Sequence, residues 1–362
     1  MKICLYGYNL TNVILANILA KKKISIDIIK TKISSYKRTS RTLALSFSNF
    51  QYLNKIINRS GFYSWDSKSI KIFTENSYEN EIIEFKNRNN ISFKLVLYSE
   101  IFELFSKNLQ TNKYIKVLKK DDNFSLDLNK YDLVINTSNK SKFFKEHFSK
   151  KIFKDYSSIA YSCMIHHQSF NNYVSSQYFT EKGPLAFLPY SKYKTSIVYS
   201  YNGKRNLKSL DIQKIVNKYN PKLNVKKLMN LEEFKIKHIT LRNYYFKNIL
   251  CFGDLIHQVH PLAGQGFNMT LRDIRVLSEL IDERKNLGLE INTEVITDFE
   301  KKRKHLNYIF ASGIDFIYEF FKFDNSIKNA FSKPIFKILN QNLVLKKYAS
   351  YFSDKGIDIN LL

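Results

Sequence analysis

Hydrophobic positions at the start of the chain follow a strand–helix–strand pattern. Residues 2–6 (KICLY) form a short apolar run, which predicts a buried strand. Residues 10–22 carry apolar side chains at helical spacing and close with lysines, which predicts a helix. Residues 24–29 (ISIDII) are rich in β-branched side chains and predict a second, parallel strand. The opening of the chain therefore predicts a βαβ unit.

Strand patterns dominate the middle of the chain, and helical patterns dominate its end. Further strands are predicted at 92–98, 114–118, 131–136, 159–165, 177–180, 185–189, 195–201 and 249–252, and further helices at 99–109, 208–219, 265–285 and within 294–350. The βαβ opening and the strand, turn and helix over 249–285 together suggest one nucleotide-binding domain made from both ends of the sequence. We therefore expect an α/β fold: a Rossmann-like nucleotide-binding domain with a mixed sheet, an inserted strand-rich domain and C-terminal helices.

The predicted domains are discontinuous. The nucleotide-binding domain is assigned to 1–60, 92–150 and 245–290, the inserted sheet to 61–91 and 151–244, and the helical region to 291–362.

Charge leaves two interpretations open. The 362 residues include 58 Lys+Arg and 32 Asp+Glu, a formal net charge of +26. This excess fits an anionic partner, but the lysines are scattered without a long block, which also fits the composition of an A+T-rich genome. Because basic and aromatic residues are spread along the whole chain, we do not expect a nucleic-acid-binding surface.

Cysteine usage and hydropathy favour a cytoplasmic protein. Cys4, Cys163 and Cys251 are far apart and form no C-x-x-C pair, so neither a disulfide framework nor a zinc site is predicted. Polar residues interrupt the N-terminal apolar run, which argues against a signal peptide. No apolar run reaches the roughly 18 residues that a membrane-spanning helix needs.

Residues 252–273, FGDLIHQVHPLAGQGFNMTLRD, concentrate the turn residues of a glycine-poor chain. Three of only 10 glycines lie here (Gly253, Gly264 and Gly266), together with Pro261. A helix that begins at such glycines offers N–H groups and a positive dipole end to an anion or an electron-rich ring. Asp254, after the predicted strand, can accept hydrogen bonds from sugar hydroxyls. A phosphate-bearing cofactor and a plain βα loop are both compatible with this pattern.

The order of residues GD-x-x-H-x-x-HPLAGQG-x-N-x-x-x-x-D in this window resembles the C-terminal flavin motif of the class A flavoprotein aromatic hydroxylases, most of all the ubiquinone-biosynthesis hydroxylase family. Residues 41–48 (RTLALSFS) resemble that family's Arg-x-x-Ala-Leu-Ser segment. Residues 177–189 (QYFTEKGPLAFLP) resemble its segment ending in Gly-Pro-Leu-Ala-x-Leu-Pro. The three segments occur in the family's order, so the resemblance covers most of the chain.

The resemblance implies FAD as cofactor and assigns roles to residues. Asp254, with Gly253, is implied to bind the ribityl or sugar hydroxyls, and Arg41 to lie along the FAD groove. The reacting part of the flavin is implied to meet Pro261, Gly264 and Gln265, with Gly266, Phe267 and Asn268 completing the cradle of the ring. Leu188, Pro189 and His260 are implied to line the substrate pocket.

The implied reaction is hydroxylation of a polyprenyl phenol, a quinone precursor. NAD(P)H reduces FAD, O₂ adds to give a flavin hydroperoxide, and its terminal oxygen attacks the ring. So insoluble a substrate implies a peripheral contact with the inner face of the membrane or with a quinone-biosynthesis complex. The aromatic residues of 294–350 could make that contact or simply pack on the core.

The N-terminal part of the resemblance is weaker. Gly7 fits the first glycine of Gly-x-Gly-x-x-Gly, but Asn9 and Asn12 stand at the second and third. Lys30 replaces the acid expected to bind the adenosine ribose. Ser138-Asn139 replaces an Asp-Gly pair. Two hypotheses remain open: a monooxygenase with a divergent ADP site at Gly7, Asn9, Asn12 and Lys30, or a catalytically weakened relative that acts as a scaffold subunit.

His257 and His260 have the spacing of metal ligands but precede a proline in a predicted loop, with no third ligand evident. We therefore predict that they are structural or line the pocket, and that no metal is required.

Overall fold

The fold is described from a computed structural model, which covers residues 1–31, 41–57, 62–86, 91–120, 127–203, 206–328, 330–342 and 356. The helices are α1 Leu10–Lys21, α2 Phe47–Ile57, α3 Tyr98–Thr111, α4 Lys142–His147, α5 Ser209–Tyr219, α6 Gln265–Asn286, α7 Thr293–Ser326 and α8 Ser332–Gln341. The strands are β1 Lys2–Tyr6, β2 Ser25–Thr31, β3 Thr42–Ser46, β4 Trp65–Ser67, β5 Ser69–Thr74, β6 Ile83–Lys86, β7 Phe93–Leu97, β8 Ile115–Lys120, β9 Leu133–Asn136, β10 Lys151–His167, β11 Val174–Thr180, β12 Gly183–Ser191, β13 Lys194–Tyr201, β14 Val225–Leu241, β15 Tyr245–Phe246, β16 Ile249–Cys251 and β17 His257–Gln258.

The first sheet contains both ends of the predicted nucleotide-binding domain. Its order is β15-β16-β9-β1-β2-β8, with β1 parallel to both β2 and β9. Leu5 of β1 pairs in register with Ile28 on one side and Ile135 on the other. The predicted βαβ opening is therefore confirmed. The carboxyl ends of β1, β9 and β16 lie side by side at one edge of this sheet, where ligands of open α/β sheets bind.

The second sheet contains the strand-rich middle of the chain. Its order is β17-β14-β10-β13-β12-β11-β5-β6, and it is antiparallel except where β11 runs parallel to β5. A third, smaller sheet has the order β3-β7-β4. The mixed α/β class with a strand-rich second layer is confirmed. The predicted domain boundaries stay a prediction, and the one between residues 60 and 61 lies outside the described residues.

Several elements differ from the sequence expectations. Strand β14 and the segment β3–α2 were not predicted, and β10 begins at Lys151 although the pattern placed its start at residue 159. A β-bulge between Asp155 and Ile159, with Ser157 at a φ of 52°, interrupts the apolar alternation that would have revealed the whole strand. Of the predicted helical region 294–350, α7 and α8 are described, and residues 343–350 lie outside the described part.

Helix α7 packs against the hydrophobic cores of both larger sheets. Near its start Phe299 packs against Phe252, with ring centroids 5.3 Å apart. Further along, Tyr318 packs edge-on against Tyr156 of β10 at 5.0 Å, and Phe321 stacks on Phe179 of β11 at 3.6 Å. One long helix therefore fixes the position of residues 252–264 relative to the second sheet. None of the described helices has both the length and the apolar character to span a membrane.

Candidate active site

Three segments that are far apart in the sequence meet at Ala44 of β3. Gly264 has a left-handed φ of 63°, and a Cβ atom added there would lie 3.1 Å from the Cβ of Ala44. The Asn268 Nδ2 donates a hydrogen bond of 2.7 Å to the Ala44 carbonyl. Leu188 of β12 packs in the same apolar cluster as Ala44. The structure thus brings together the three segments that carry the family resemblance.

Asn268 uses its side chain to hold β3 against the start of α6. Its Oδ1 accepts hydrogen bonds from the Ser46 backbone N–H at 3.0 Å and from the Asn49 Nδ2 at 2.9 Å. With the donation to Ala44, both ends of the amide are engaged, and the residue is fully buried. Asn268 therefore fixes the geometry of the turn, and its direct role toward a flavin stays a prediction.

The turn before α6 presents backbone and small apolar groups. Pro261, Gly266 and Phe267 are half-buried, and Gln265 is buried. Gln265 begins α6, a helix of 22 residues, so the N–H groups of its first turn lie at a positive dipole end. This arrangement suits the electron-rich edge of a planar ring.

His260 lies in an aromatic box immediately before Pro261. Its ring stacks on Tyr318 at 4.3 Å and meets Tyr156 edge-on at 5.2 Å. It is fully buried, and neither ring nitrogen has a hydrogen-bond partner among the described residues. Burial lowers the pKa of His260 to about 3. His260 is therefore a neutral imidazole at the base of the site.

His257 has a different environment, a buried charge network behind the turn. Its Nε2 lies 2.7 Å from Oδ2 of Asp273, which is fully buried in α6. Arg303 Nε donates to Asp273 Oδ1 at 2.6 Å, and Asn307 Nδ2 donates to both carboxylate oxygens at 3.1 and 3.2 Å. Despite burial, the neighbouring Arg303 guanidinium and the His257 hydrogen bond lower the pKa of Asp273. The predicted structural role of His257 agrees with this network.

A cleft of about 400 Å³ lies at the carboxyl ends of β1 and β9. It brings together Gly7 and Asn9 of the N-terminal turn, Ser138 of the pair that replaces the family's Asp-Gly, and Asp254. Gly7 has a φ of 113°, and an added Cβ would lie 2.6 Å from Thr137 Oγ1, so only glycine fits this turn. Residues predicted from three separate motifs therefore face one cavity.

The two asparagines that replace family glycines bond within the protein. Asn9 caps α1 by accepting from the Asn12 N–H at 3.1 Å, and its Nδ2 donates to Thr137 Oγ1 at 2.8 Å. The Asn12 Nδ2 donates to the Gly7 carbonyl and to Thr137 Oγ1, each at 2.8 Å. The turn keeps its shape because amide hydrogen bonds take the place of close backbone packing.

Tyr98 was missed by sequence reasoning, because nothing in its spacing marks it. Its hydroxyl accepts the Leu10 N–H at 3.2 Å, and its ring lies 5.8 Å from the Arg41 guanidinium. Desolvation raises the pKa of Tyr98, and nearby Asp254 adds to that rise. Arg41 is exposed at this edge, and Lys30 lies 4.7 Å above the ring of Tyr8, which lines the cleft.

Comparisons with known proteins agree with the arrangement of these segments. The profile of the squalene epoxidase family matches residues 213–346. The chain is 30% identical over 149 residues to 3-demethoxyubiquinol 3-hydroxylase of Escherichia coli K12, covering 39% of this chain and 38% of that protein. It is 35% identical over 86 residues to the mitochondrial ubiquinone biosynthesis monooxygenase COQ6 of Dictyostelium discoideum, covering 24% and 17%. These matches span less than half of each relative.

Solved structures match over nearly the whole chain. The p-nitrophenol 4-monooxygenase PnpA of Pseudomonas putida DLL-E4 superposes with a TM-score of 0.77 at 11% identity, covering 99% of this chain and 98% of that one. A 2-methyl-3-hydroxypyridine-5-carboxylic acid oxygenase gives 0.70 at 10% identity, covering 98% and 96%. The chain has the fold of the FAD-dependent aromatic monooxygenases. The resemblance found in the sequence is confirmed. The curated relatives that the chain matches include hydroxylases of ubiquinone biosynthesis.

The residues of this monooxygenase fold fit a flavin at the ring and ribityl ends. The left-handed Gly264 and the half-buried Gly266 carry no side chain that would keep a planar group from the start of α6, and Leu188 lies in the apolar cluster of the adjoining Ala44. Asp254 is exposed in the cleft that continues toward Gly7. At the phosphate end the fit differs, because side chains of the protein already accept two of the first N–H groups of α1.

Proposed function

We propose that this protein is an FAD-dependent monooxygenase that hydroxylates the aromatic ring of a polyprenyl phenol in ubiquinone biosynthesis, with NAD(P)H as reductant. The observation that carries the proposal is the meeting of the three motif segments at Ala44, beside a cleft that holds Gly7 and Asp254. When bound and reduced, FAD supplies the activation of O₂ and the oxygen transfer. The ubiquinone hydroxylases among the curated relatives support the choice of substrate.

In this proposal the chain's own residues bind, orient and exclude water. Asp254 accepts from the hydroxyls of the cofactor chain, and the first turn of α6 donates to the edge of the ring. Pro261, Leu188 and Pro189 form apolar walls that keep water from the reacting atoms. The neutral imidazole of His260 adds no positive charge beside this pocket.

The test begins with the absorption spectrum of the purified protein before and after FAD is added. We expect a bound-flavin spectrum, followed by phenol-dependent oxidation of NAD(P)H and a hydroxylated product. Gly264→Ala should abolish flavin binding, since its Cβ would press against Ala44. Gly288→Ala is the matched control: Gly288 has a similar φ of 67° but nothing within 4 Å of an added Cβ. Flavin binding that survives Gly264→Ala would contradict the assigned site.

A scaffold role in lipid-quinone biosynthesis is the alternative. The capped start of α1 and Lys30 at the end of β2 favour it, because both weaken the usual ADP site. A protein that binds no flavin at any FAD concentration, yet folds, would make this alternative the leading one.

We further propose that the protein contacts an anionic membrane surface through an aromatic stripe on α7 and α8. The stripe consists of Ile309, Phe316, Phe320 and Phe323 on α7 and Phe331, Ile335 and Ile338 on or beside α8. Its α7 members recur at helical spacing, and Phe316 is 70% exposed. Phe323 stacks on Phe331 at 6.3 Å, so the two helices share one apolar surface.

Position and charge support this contact. The opposite face of α7 packs on Tyr156 and His260 through Tyr318, so the stripe lies one helix thickness from the proposed pocket. Exposed Lys322, Lys328 and Lys337 accompany the stripe. Basic residues near an anionic leaflet contribute about 1 kcal/mol each, and buried apolar area adds to the binding.

A further inference from the structure

The amino terminus of α1 is closed by the protein's own side chains. In a dinucleotide-binding turn this terminus offers its N–H groups to the pyrophosphate. Here the Leu10 N–H donates to the Tyr98 hydroxyl at 3.2 Å, and the Asn12 N–H donates to Asn9 Oδ1 at 3.1 Å. The Asn9 amide is itself held by Thr137. A phosphate could use these N–H groups only after displacing built hydrogen bonds.

The cleft next to this terminus is nevertheless positively charged. Lys140, on the loop after β9, and Lys151, the first residue of β10, both line it and are both exposed. Asp254 is the acidic residue that shares the lining with them. Lys30 adds a third ammonium group at the ring of Tyr8. Within the described residues, no carboxylate lies within 4.0 Å of Lys140 or Lys151 as an ion-pair partner.

We propose that Lys140 and Lys151 bind the phosphates of the flavin cofactor in this cleft, in place of the amino terminus of α1. The inference rests on the proposed function, because it concerns the same cofactor. An ammonium group on a flexible four-carbon stem is a compact point charge that can reach a phosphate without a fixed backbone geometry. The loss of glycines at Asn9 and Asn12 then changes only how the phosphates are held. The site for the flavin ring at the start of α6 stays the same.

The position of the two lysines explains why the sequence did not reveal them. Lys140 follows Ser138-Asn139, where the family's Asp-Gly pair is absent, and Lys151 is the first residue of β10. They are 11 positions apart, one on a loop and one on a strand, with α4 between them. Only the fold brings both to the cleft that contains Gly7.

The experiment compares FAD, FMN and riboflavin binding, followed by flavin fluorescence, in three forms of the full chain. Lys140→Ala/Lys151→Ala removes the proposed phosphate ligands. Lys145→Ala/Lys150→Ala removes the same charge from nearby exposed lysines that do not line the cleft. We expect the first pair to weaken FAD and FMN at least about tenfold and to leave riboflavin, which has no phosphate, unchanged. The control pair should leave all three ligands unchanged.

Salt provides a second measurement. If the lysines hold the phosphates, FAD affinity of the unmodified protein falls with ionic strength, and the Lys140→Ala/Lys151→Ala protein loses most of that dependence. Unchanged FAD affinity in this variant, or an equal loss for FAD and riboflavin, would overturn the inference while the monooxygenase proposal stands. Absence of binding by all three flavins to the unmodified protein would instead overturn both.

Discussion

At the scale of single residues, His260 shows how burial sets a protonation state. Both ring nitrogens lack partners among the described residues, and the ring lies between Tyr156 and Tyr318. Buried polar groups without partners cost free energy, and a charged imidazole here would cost more. The aromatic box therefore keeps the position next to Pro261 neutral and apolar, as a site that excludes water requires.

This environment predicts a pH dependence of stability. The pKa of His260 is about 3 in the folded protein, below the ordinary value of 6.5, so the unfolded chain binds the proton first. Stability should fall as pH drops below about 6.5, by roughly 1.4 kcal/mol per pH unit at most for this one group. His260→Phe should reduce that slope in denaturant titrations at several pH values. A partial slope should remain, because the pKa values of His167 and His238 are also lowered.

His305→Phe is the control for this prediction, since it makes the same change at an exposed position of α7. Identical pH slopes for His260→Phe and His305→Phe would show that His260 is not held neutral by the fold.

The residues of the flavin motif could be identified in the sequence, but their hydrogen-bond and ion-pair partners could not. Asp273 closes the motif, and its spacing from His257 was visible in the sequence. Arg303 and Asn307, which complete the buried network, lie about thirty residues further on, on α7. No local pattern marks them, because a buried ion pair is defined by contacts between elements. The sequence therefore identified Asp273 as part of the motif but did not reveal that it forms a buried ion pair with a residue of α7.

At the scale of elements, strong periodicity was predictive and weak alternation was not. Strands β1 and β9 are largely apolar runs, as parallel strands covered on both faces should be, and β2 places three isoleucines around a buried Asp27. Strand β14 (VKKLMNLEEFKIKHITL) is half-exposed and rich in charge, so its sequence lacks that signal. It forms because β10 offers it a partner over nearly its whole length. Pairing with a neighbour outweighed its own composition.

The start of α1 gives a testable case in which restoring a family residue should be harmful. Asn12→Gly removes the amide that donates to the Gly7 carbonyl and Thr137 Oγ1. Lost buried hydrogen bonds and a glycine in a helix should together cost roughly 1–3 kcal/mol of unfolding free energy. Equilibrium denaturation measures this. Asn108→Gly in α3 is the control and should cost about 0.5 kcal/mol or less from helix propensity. Equal losses would show that the Asn12 contacts contribute nothing.

At the scale of the whole molecule, the site exists only where distant segments meet. Residues 41–48, 177–189 and 261–268 could each be recognised by their motifs, but their meeting at Ala44 of the first segment could not be predicted. The same is true of α7, which lies within the helical pattern predicted over 294–350, although that pattern gave neither the end of this helix nor its two faces. One face carries Tyr318 into the aromatic box, and the other presents Phe316 to the outside. Packing on the core therefore describes the inner face of α7, and membrane contact is proposed for the outer face alone.

The outward face leads to a prediction about membranes. Phe316→Ser/Phe323→Ser removes two rings that are 70% and 58% exposed, so the fold should persist while the apolar part of the surface is lost. In flotation at low salt, we expect the unmodified protein to bind vesicles that contain anionic lipid and this variant to bind at least about tenfold more weakly. The physical reason is that the strength of interfacial binding is the sum of buried apolar area and charge attraction, and this variant loses the first contribution.

The matched control is Leu210→Ser/Leu287→Ser, because these two side chains are each 72% exposed and belong to neither α7 nor α8. Vesicle binding should be unchanged in this control, because it keeps the net charge and leaves the stripe intact while it removes two similarly exposed apolar side chains. If both variants lost binding equally, the attraction would come from general surface hydrophobicity. If the unmodified protein failed to float with anionic vesicles, the scattered lysines would reflect composition alone, and the insoluble substrate would have to reach the pocket from a carrier protein.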